Sequence, residues 1–117
     1  MENSFKKKFA FEQRLTESTK IIKKYESRVP VIVLKSSRSR LPDIDKNKYL
    51  VPGELTIAQF LHIIRKRIQL KSHQSIFVFI DDTTLPPTSS TFNRIYSDHK
   101  DKDGFLYLTY CEENTFG

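Results

Sequence analysis

The chain has 117 residues, 38% of them hydrophobic, with 20 Lys and Arg against 14 Asp and Glu, which suits one compact, folded, basic domain. Its single cysteine, Cys111, excludes an intramolecular disulfide and fits a cytoplasmic setting; together with the scattered His62, His73 and His99 it gives no structural-zinc spacing. No apolar run approaches the roughly 20 residues that span a bilayer, and MENSFKKKFAFEQR has a basic cluster without the apolar stretch of a secretory signal, so any membrane role is expected to come from attachment or surface binding.

The chain begins with helical signals. Lys6–Phe9 reads as a short helix. Phe11, Leu15, Ser18, Ile22 and Tyr25 then recur at helical spacing, which predicts a helix over about 12–25 buried along that stripe. Ile21 falls about 80° from the stripe's centre and shares a flank with Glu17, at the border where a partly open pocket would take a wall. The β-branched run Val29–Leu34 predicts a strand. Pro30 within it cannot donate a ladder hydrogen bond, which favours a sheet edge or a strand start. Residues 35–47 read as loop, and Lys48–Val51 as a short second strand stopped by Pro52-Gly53.

The clearest helix start follows. Thr56 with Gln59 makes a capping box, and Leu55 with Phe60 a hydrophobic staple. The helix is expected to run to about Leu70, burying Ile57, Leu61, Ile64 and Ile68. Phe60, Ile63 and Arg67 form the adjacent stripe, for which core packing is the default reading of the two apolar members. IFVFI, at Ile76–Ile80, is apolar on both faces and is expected inside the sheet. A Pro-containing turn, a short helical turn around Phe92–Tyr96 and a last strand, Phe105–Tyr110, complete the chain. Two strands, a long helix and two more strands define an α+β domain in which the helix covers one face of a four-stranded mixed sheet. That is the order of the ubiquitin-like β-grasp, with two helices added in front. The single domain 1–117 divides into a helical extension (1–26), a ubiquitin-like core (27–110) and a flexible tail (111–117).

Charge is uneven: residues 1–71 carry 17 Lys and Arg against 7 Asp and Glu, while residues 72–117 carry 3 against 7. A basic face attracts acidic peptides, anionic lipid or nucleic acid.

The stretches FEQR, IIKKY, RVPVIV, LPDIDKNKYLVP, LTIAQFLHIIRKRIQL, FVFI, LPPTSS and DKDGFLYLTY, followed by ENTFG, run colinearly through nearly the whole chain. They resemble the GABARAP family of ubiquitin-like autophagy modifiers. KYLVP followed by LTIAQF, IRKRI and a closing FG is the most specific combination, and the closing segment is most similar to plant and protist members. Glu26 and Leu34 stand where the family often has proline and an acidic residue, and the Asp81–Thr88 turn is one residue longer.

The resemblance implies two pockets for an aromatic residue and an aliphatic residue three positions later in an extended peptide. The first maps onto Glu17, Ile21, Pro30, Lys48, Leu50 and Phe105. The second maps onto Tyr49, Val51, Pro52, Leu55, Phe60 and Ile63. The residues offer independent support, since a short edge strand can accept a peptide as an added strand and the side chains of KYLV alternate between its two sides. Tyr49 and Leu50 are both expected to act as groove residues. Arg28, Lys46, Lys48 and Arg67 would form a basic rim for acidic residues flanking the motif.

The resemblance further implies that Gly117 is the point of conjugation to phosphatidylethanolamine. E1-like and E2-like enzymes would carry the activated carboxyl, and a cysteine protease would recognise Phe116 during processing or delipidation. All catalysis would then lie in the partners, with no cofactor and no metal. A weaker docking surface, for helical motifs, maps onto Ile76, Phe77, Val78 and Phe79. The expected locations are the cytoplasm, the autophagosome membrane after lipidation, and the vacuole or lysosome. The competing readings are a ubiquitin-like adaptor that is never lipidated and a basic nucleic-acid-binding domain, although no nucleic-acid signature appears. An enzyme is the least favoured, since Cys111 has no histidine near it in sequence.

Overall fold

A computed structural model describes residues 3–113. Its elements are α1 (Ser4–Lys8), α2 (Phe11–Lys24), β1 (Arg28–Lys35), β2 (Lys48–Pro52), α3 (Ile57–Arg67), β3 (Ile76–Ile80), α4 (Phe92–His99) and β4 (Leu106–Glu112). The sheet order is β2-β1-β4-β3. The central pair β1–β4 is parallel, and both outer pairs are antiparallel. Central strands are covered on both faces, so they read as continuous apolar runs. Val31, Ile32, Val33, Leu106 and Leu108 are all fully buried.

The sheet separates two apolar clusters. The larger joins Val31, Val33, Tyr49, Val51, Leu106, Leu108 and Tyr110 to Ile57, Phe60, Ile64 and Ile68 from α3 and the turn that ends it, with Phe92 and Ile95 of α4. The smaller joins Ile32, Leu34, Phe105 and Tyr107 to Phe5 of α1, with Phe9 and Ile21 against it. The α3 start forms as its residues dictate. Gln59 N–H donates to the Thr56 hydroxyl, and Thr56 N–H donates to the Gln59 side chain at 2.9 Å, a cap of about 1 kcal/mol. Phe60 joins the buried face, whereas Leu61 is only partly buried.

Four sequence expectations need correction. The buried face of α2 is rotated by roughly 50° from the apolar stripe, leaving Phe11, Ile22 and Tyr25 exposed at 39%, 40% and 38%. The cause is polar. Asp103 is fully buried at the entry to β4; its carboxylate accepts from Arg14 Nη1 at 2.5 Å and from the Tyr107 hydroxyl, and its carbonyl accepts from Ser18 Oγ. Burial and the bond to Asp103 push the Tyr107 phenol far above its ordinary pKa. Arg14 and Ser18 therefore turn α2 towards the sheet, which apolar periodicity cannot register.

The strand β3 is an edge, not an interior strand. Ile76, Val78 and Ile80 point into the main core, while Phe77 and Phe79 lie half-buried on the opposite face. The apolar character of both faces comes from those two rings, which pack edge-on with centroids 6.0 Å apart. Third, β4 continues through Cys111 and Glu112, so these residues belong to the sheet and not to a flexible tail; Cys111 pairs with Phe77 and is 3% exposed. Burial raises its thiol pKa, the reverse of what an activated nucleophile needs. Fourth, Pro30 is neither on an edge strand nor at a strand start, being the third residue of the interior strand β1; its missing N–H costs no ladder bond, because its pair with Leu50 is of the non-bonded kind and pairing with β4 begins only at Val31.

Candidate functional site

The register of β1 and β2 decides which peptide groups remain open. Val33 N–H donates to Asn47 O, and Gly53 N–H donates to Ser27 O. Bonded pairs alternate along an antiparallel ladder, so Tyr49 and Val51 face β1, opposite Val31 and Val29. Lys48 and Leu50, opposite Ile32 and Pro30, must turn their N–H and C=O groups outward. Pro52 closes the far end: it has no N–H, and its carbonyl is taken by Leu55 N–H at 3.0 Å. The open segment is therefore two residues long, which suits a short added strand and limits indiscriminate pairing.

Residues assigned to the first pocket converge on one side of this edge. Leu50 lies opposite Pro30. Glu17 of α2 pairs with Lys48 of β2. Ile21 packs against the smaller cluster, in which Phe105 is a fully buried member. Phe105 is thus a floor and not a wall, whereas Glu17, Ile21, Lys48 and Leu50 are half-buried and Pro30 is buried.

The second set divides. Tyr49, Val51 and Phe60 are core, at 7%, 3% and 1% exposure, with the Tyr49 and Phe60 rings edge-on at 5.6 Å. Pro52, Leu55 and Ile63 supply the accessible apolar surface, and Ile63 is 40% exposed. The Tyr49 hydroxyl is buried and, among the described residues, makes no hydrogen bond of good geometry, with the Arg67 guanidinium nearby.

Each rim cation meets an intrachain partner. Arg28 Nη1 donates to Leu50 O at 3.0 Å. The Lys46 ammonium lies 4.9 Å from the Tyr49 ring centroid. Lys48 holds Glu17, and Arg67 Nε lies 3.3 Å from Asp45. Exposed pairs of this kind are worth about 0–1 kcal/mol each, so an acidic ligand can displace them at small cost.

Sequence reasoning missed the groove wall formed by Phe5, Phe9 and Leu34, which lines a depression beside Lys46 and Lys48. The available signal was the aromatic pair Phe5 and Phe9 at i, i+4; their rings lie 5.0 Å apart. Of the weaker docking surface, only Phe77 and Phe79 face outward, with the Arg38 guanidinium 5.6 Å from the Phe79 ring. Phe116 and Gly117 lie outside the described residues. Among the described residues, no helix is long and apolar enough to cross a membrane.

A mixed four-stranded sheet with α3 across one face, and an extra pair of helices against the other, defines a ubiquitin-like protein whose second strand offers a bordered open edge. The comparisons narrow this class. Residues 13–117 match the family described as "Autophagy protein Atg8 ubiquitin like". Autophagy-related protein 8b of Arabidopsis thaliana is 57% identical over 115 residues, covering 98% of this chain and 93% of that protein. Autophagy-related protein 8 of Kluyveromyces lactis is 54% identical over 117 residues, covering 100% and 94%. The crystal structure of Trypanosoma brucei ATG8 superposes with a TM-score of 0.92 at 38% identity, with each chain fully covered. The chain belongs to the Atg8 family of ubiquitin-like autophagy proteins.

Proposed function

We propose that this chain is a conjugated modifier, joined through Gly117 to phosphatidylethanolamine and read by receptors and adaptors that carry aromatic-x-x-aliphatic motifs. The observation that carries the receptor half is the two-residue open edge of β2, bordered by Ile21 and Leu50 on one side and by Leu55 and Ile63 on the other. An extended peptide would add a strand there, with backbone bonds giving affinity and the two apolar borders selecting side chains.

The conjugation half rests on family membership, since the matched region runs through Gly117. The chain supplies the electrophile. An E1-like enzyme activates the Gly117 carboxyl, and an E2-like enzyme holds it as a thioester. The lipid amine attacks the carbonyl, the thiol leaves, and an amide forms. A cysteine protease that reads Phe116 would trim the precursor or reverse the bond. Catalysis lies in these partners, and the lipid-bound form resides on the autophagosome membrane. Nucleic acid is not an expected ligand, because the sequence carries no nucleic-acid-binding signature.

Titration with a labelled peptide carrying the motif tests the receptor half. Saturable binding that is lost when either the aromatic or the aliphatic residue becomes alanine is expected. Equal binding of the motif peptide and a scrambled version would remove the reading.

A further inference from the structure

Among the described residues, Leu50 has the one outward carbonyl on the β2 edge to which a side chain of the same chain donates. Pro30 and Leu50 form a non-bonded pair of the ladder, so the Leu50 peptide group turns away from the sheet. Arg28 stands two residues before Pro30, opposite Pro52. From there its exposed side chain spans β2 and donates from Nη1 to Leu50 O at 3.0 Å. A strand added to β2 needs that same oxygen, because Leu50 O is one of only two outward acceptors, with Lys48 O, before Pro52 ends the edge. A carbonyl oxygen can accept two bonds, but the guanidinium stands on the outward side of Leu50 O, from which an added strand's N–H must also approach, so the two compete for that position.

We infer that Arg28 is a removable cap on the β2 edge, and that its removal makes pairing selective for strands that bring their own carboxylate. This rests on the groove reading above and adds a specificity device to it. A neutral strand that displaces Arg28 leaves the guanidinium with water alone. An acidic strand replaces the lost bond with a charge-assisted one, which is the stronger kind. The cap thus penalises neutral strands and refunds the penalty to acidic ones, so selectivity comes from a repulsive element as well as an attractive one. It also blunts an edge that would otherwise be open to indiscriminate pairing. A simple basic rim makes a different prediction, since deleting one of its charges can only weaken acidic ligands.

The test compares the parent chain, Arg28→Ala and a charge control, Lys71→Ala on the loop after α3. Each is titrated with two synthetic peptides that share one aromatic-x-x-aliphatic motif, flanked by glutamates in one and by glutamines in the other. Arg28→Ala is expected to bind the glutamine-flanked peptide about two- to tenfold tighter than the parent does, the range that one net hydrogen bond spans, and to bind the glutamate-flanked peptide more weakly. Lys71→Ala should not tighten the glutamine-flanked peptide. In the free protein, the Leu50 carbonyl carbon resonance should move upfield in Arg28→Ala as the donated bond is lost. If Arg28→Ala weakens both peptides, or leaves the glutamine-flanked one unchanged, the cap is overturned while the groove stands. If the parent binds neither peptide, the groove reading fails and the cap falls with it.

Discussion

Pro30 lies directly opposite Leu50 across the β1–β2 pair. The bonds at Val33–Asn47 and Ser27–Gly53 make this pairing of the non-bonded kind, which tolerates a proline and leaves the Leu50 peptide group facing the open side of the sheet. The same register sends the Tyr49 side chain into the core and leaves Leu50 half-buried. Neighbouring residues of one short strand therefore have separate tasks.

Substituting Tyr49 and Leu50 one at a time separates those tasks. Leu50→Ala should cost motif-peptide affinity of about 2–4 kcal/mol and folding stability of only about 1 kcal/mol. Tyr49→Ala should cost stability of about 3–5 kcal/mol, because its ring is 7% exposed and packs against Phe60. Urea denaturation and peptide titration on both variants check this. Comparable stability losses would mean that Leu50 is core as well.

Asp103 sets a second expectation. Its carboxylate is fully buried and depends on Arg14 and Tyr107. Arg14→Met would leave that charge uncompensated and should destabilise the fold by about 3–5 kcal/mol. Arg14→Met combined with Asp103→Leu should recover part of the loss, because no unpaired charge remains. A double variant less stable than Arg14→Met alone would show that α2 is positioned by something other than this carboxylate.

The short helix α1 should respond to acid. Lys6 Nζ lies 2.6 Å from Asp101 Oδ1. Burial opposes the charged form of Asp101, but the bonds from Lys6 and the Asp103 amide outweigh it and hold its pKa below the ordinary carboxylate value. A carboxylate depressed in the folded state contributes stability above its unfolded pKa, about 3.9, and loses it as pH falls through the folded pKa. The parent should therefore be more stable than Asp101→Asn at pH 7, with the difference shrinking below about pH 4. A constant difference across that range in urea titrations would show that the ion pair contributes nothing.

The sequence made much of this legible where local physics decides the outcome. Thr56 and Gln59 announced α3, and Pro52-Gly53 announced the end of β2. What stayed hidden depends on partners distant in sequence. Arg14 and Ser18 turn α2 by reaching Asp103, and no periodicity within α2 reveals that. Phe77 and Phe79 made β3 look interior, although they face outward from an edge. Leu41 and Ile44, in a stretch that reads as loop, are buried in the main core. Of the first pocket, Glu17 of α2 and Lys48 of β2 meet as an ion pair, which neither element's own pattern reveals. Of the second, Tyr49 and Val51 are core, because a strand residue that faces a covering helix is buried however close it lies to an edge, and Phe60 is core as part of that covering helix.

The central claim is covalent attachment through Gly117, and intact mass reads it most directly. The chain is incubated with the E1-like and E2-like enzymes, ATP and phosphatidylethanolamine liposomes, beside Gly117→Ala. The parent should gain the mass of one phosphatidylethanolamine less one water, and Gly117→Ala should gain none while keeping its fold and its affinity for motif peptides. An unchanged mass for the parent, or equal conjugation of the two chains, would contradict the claim.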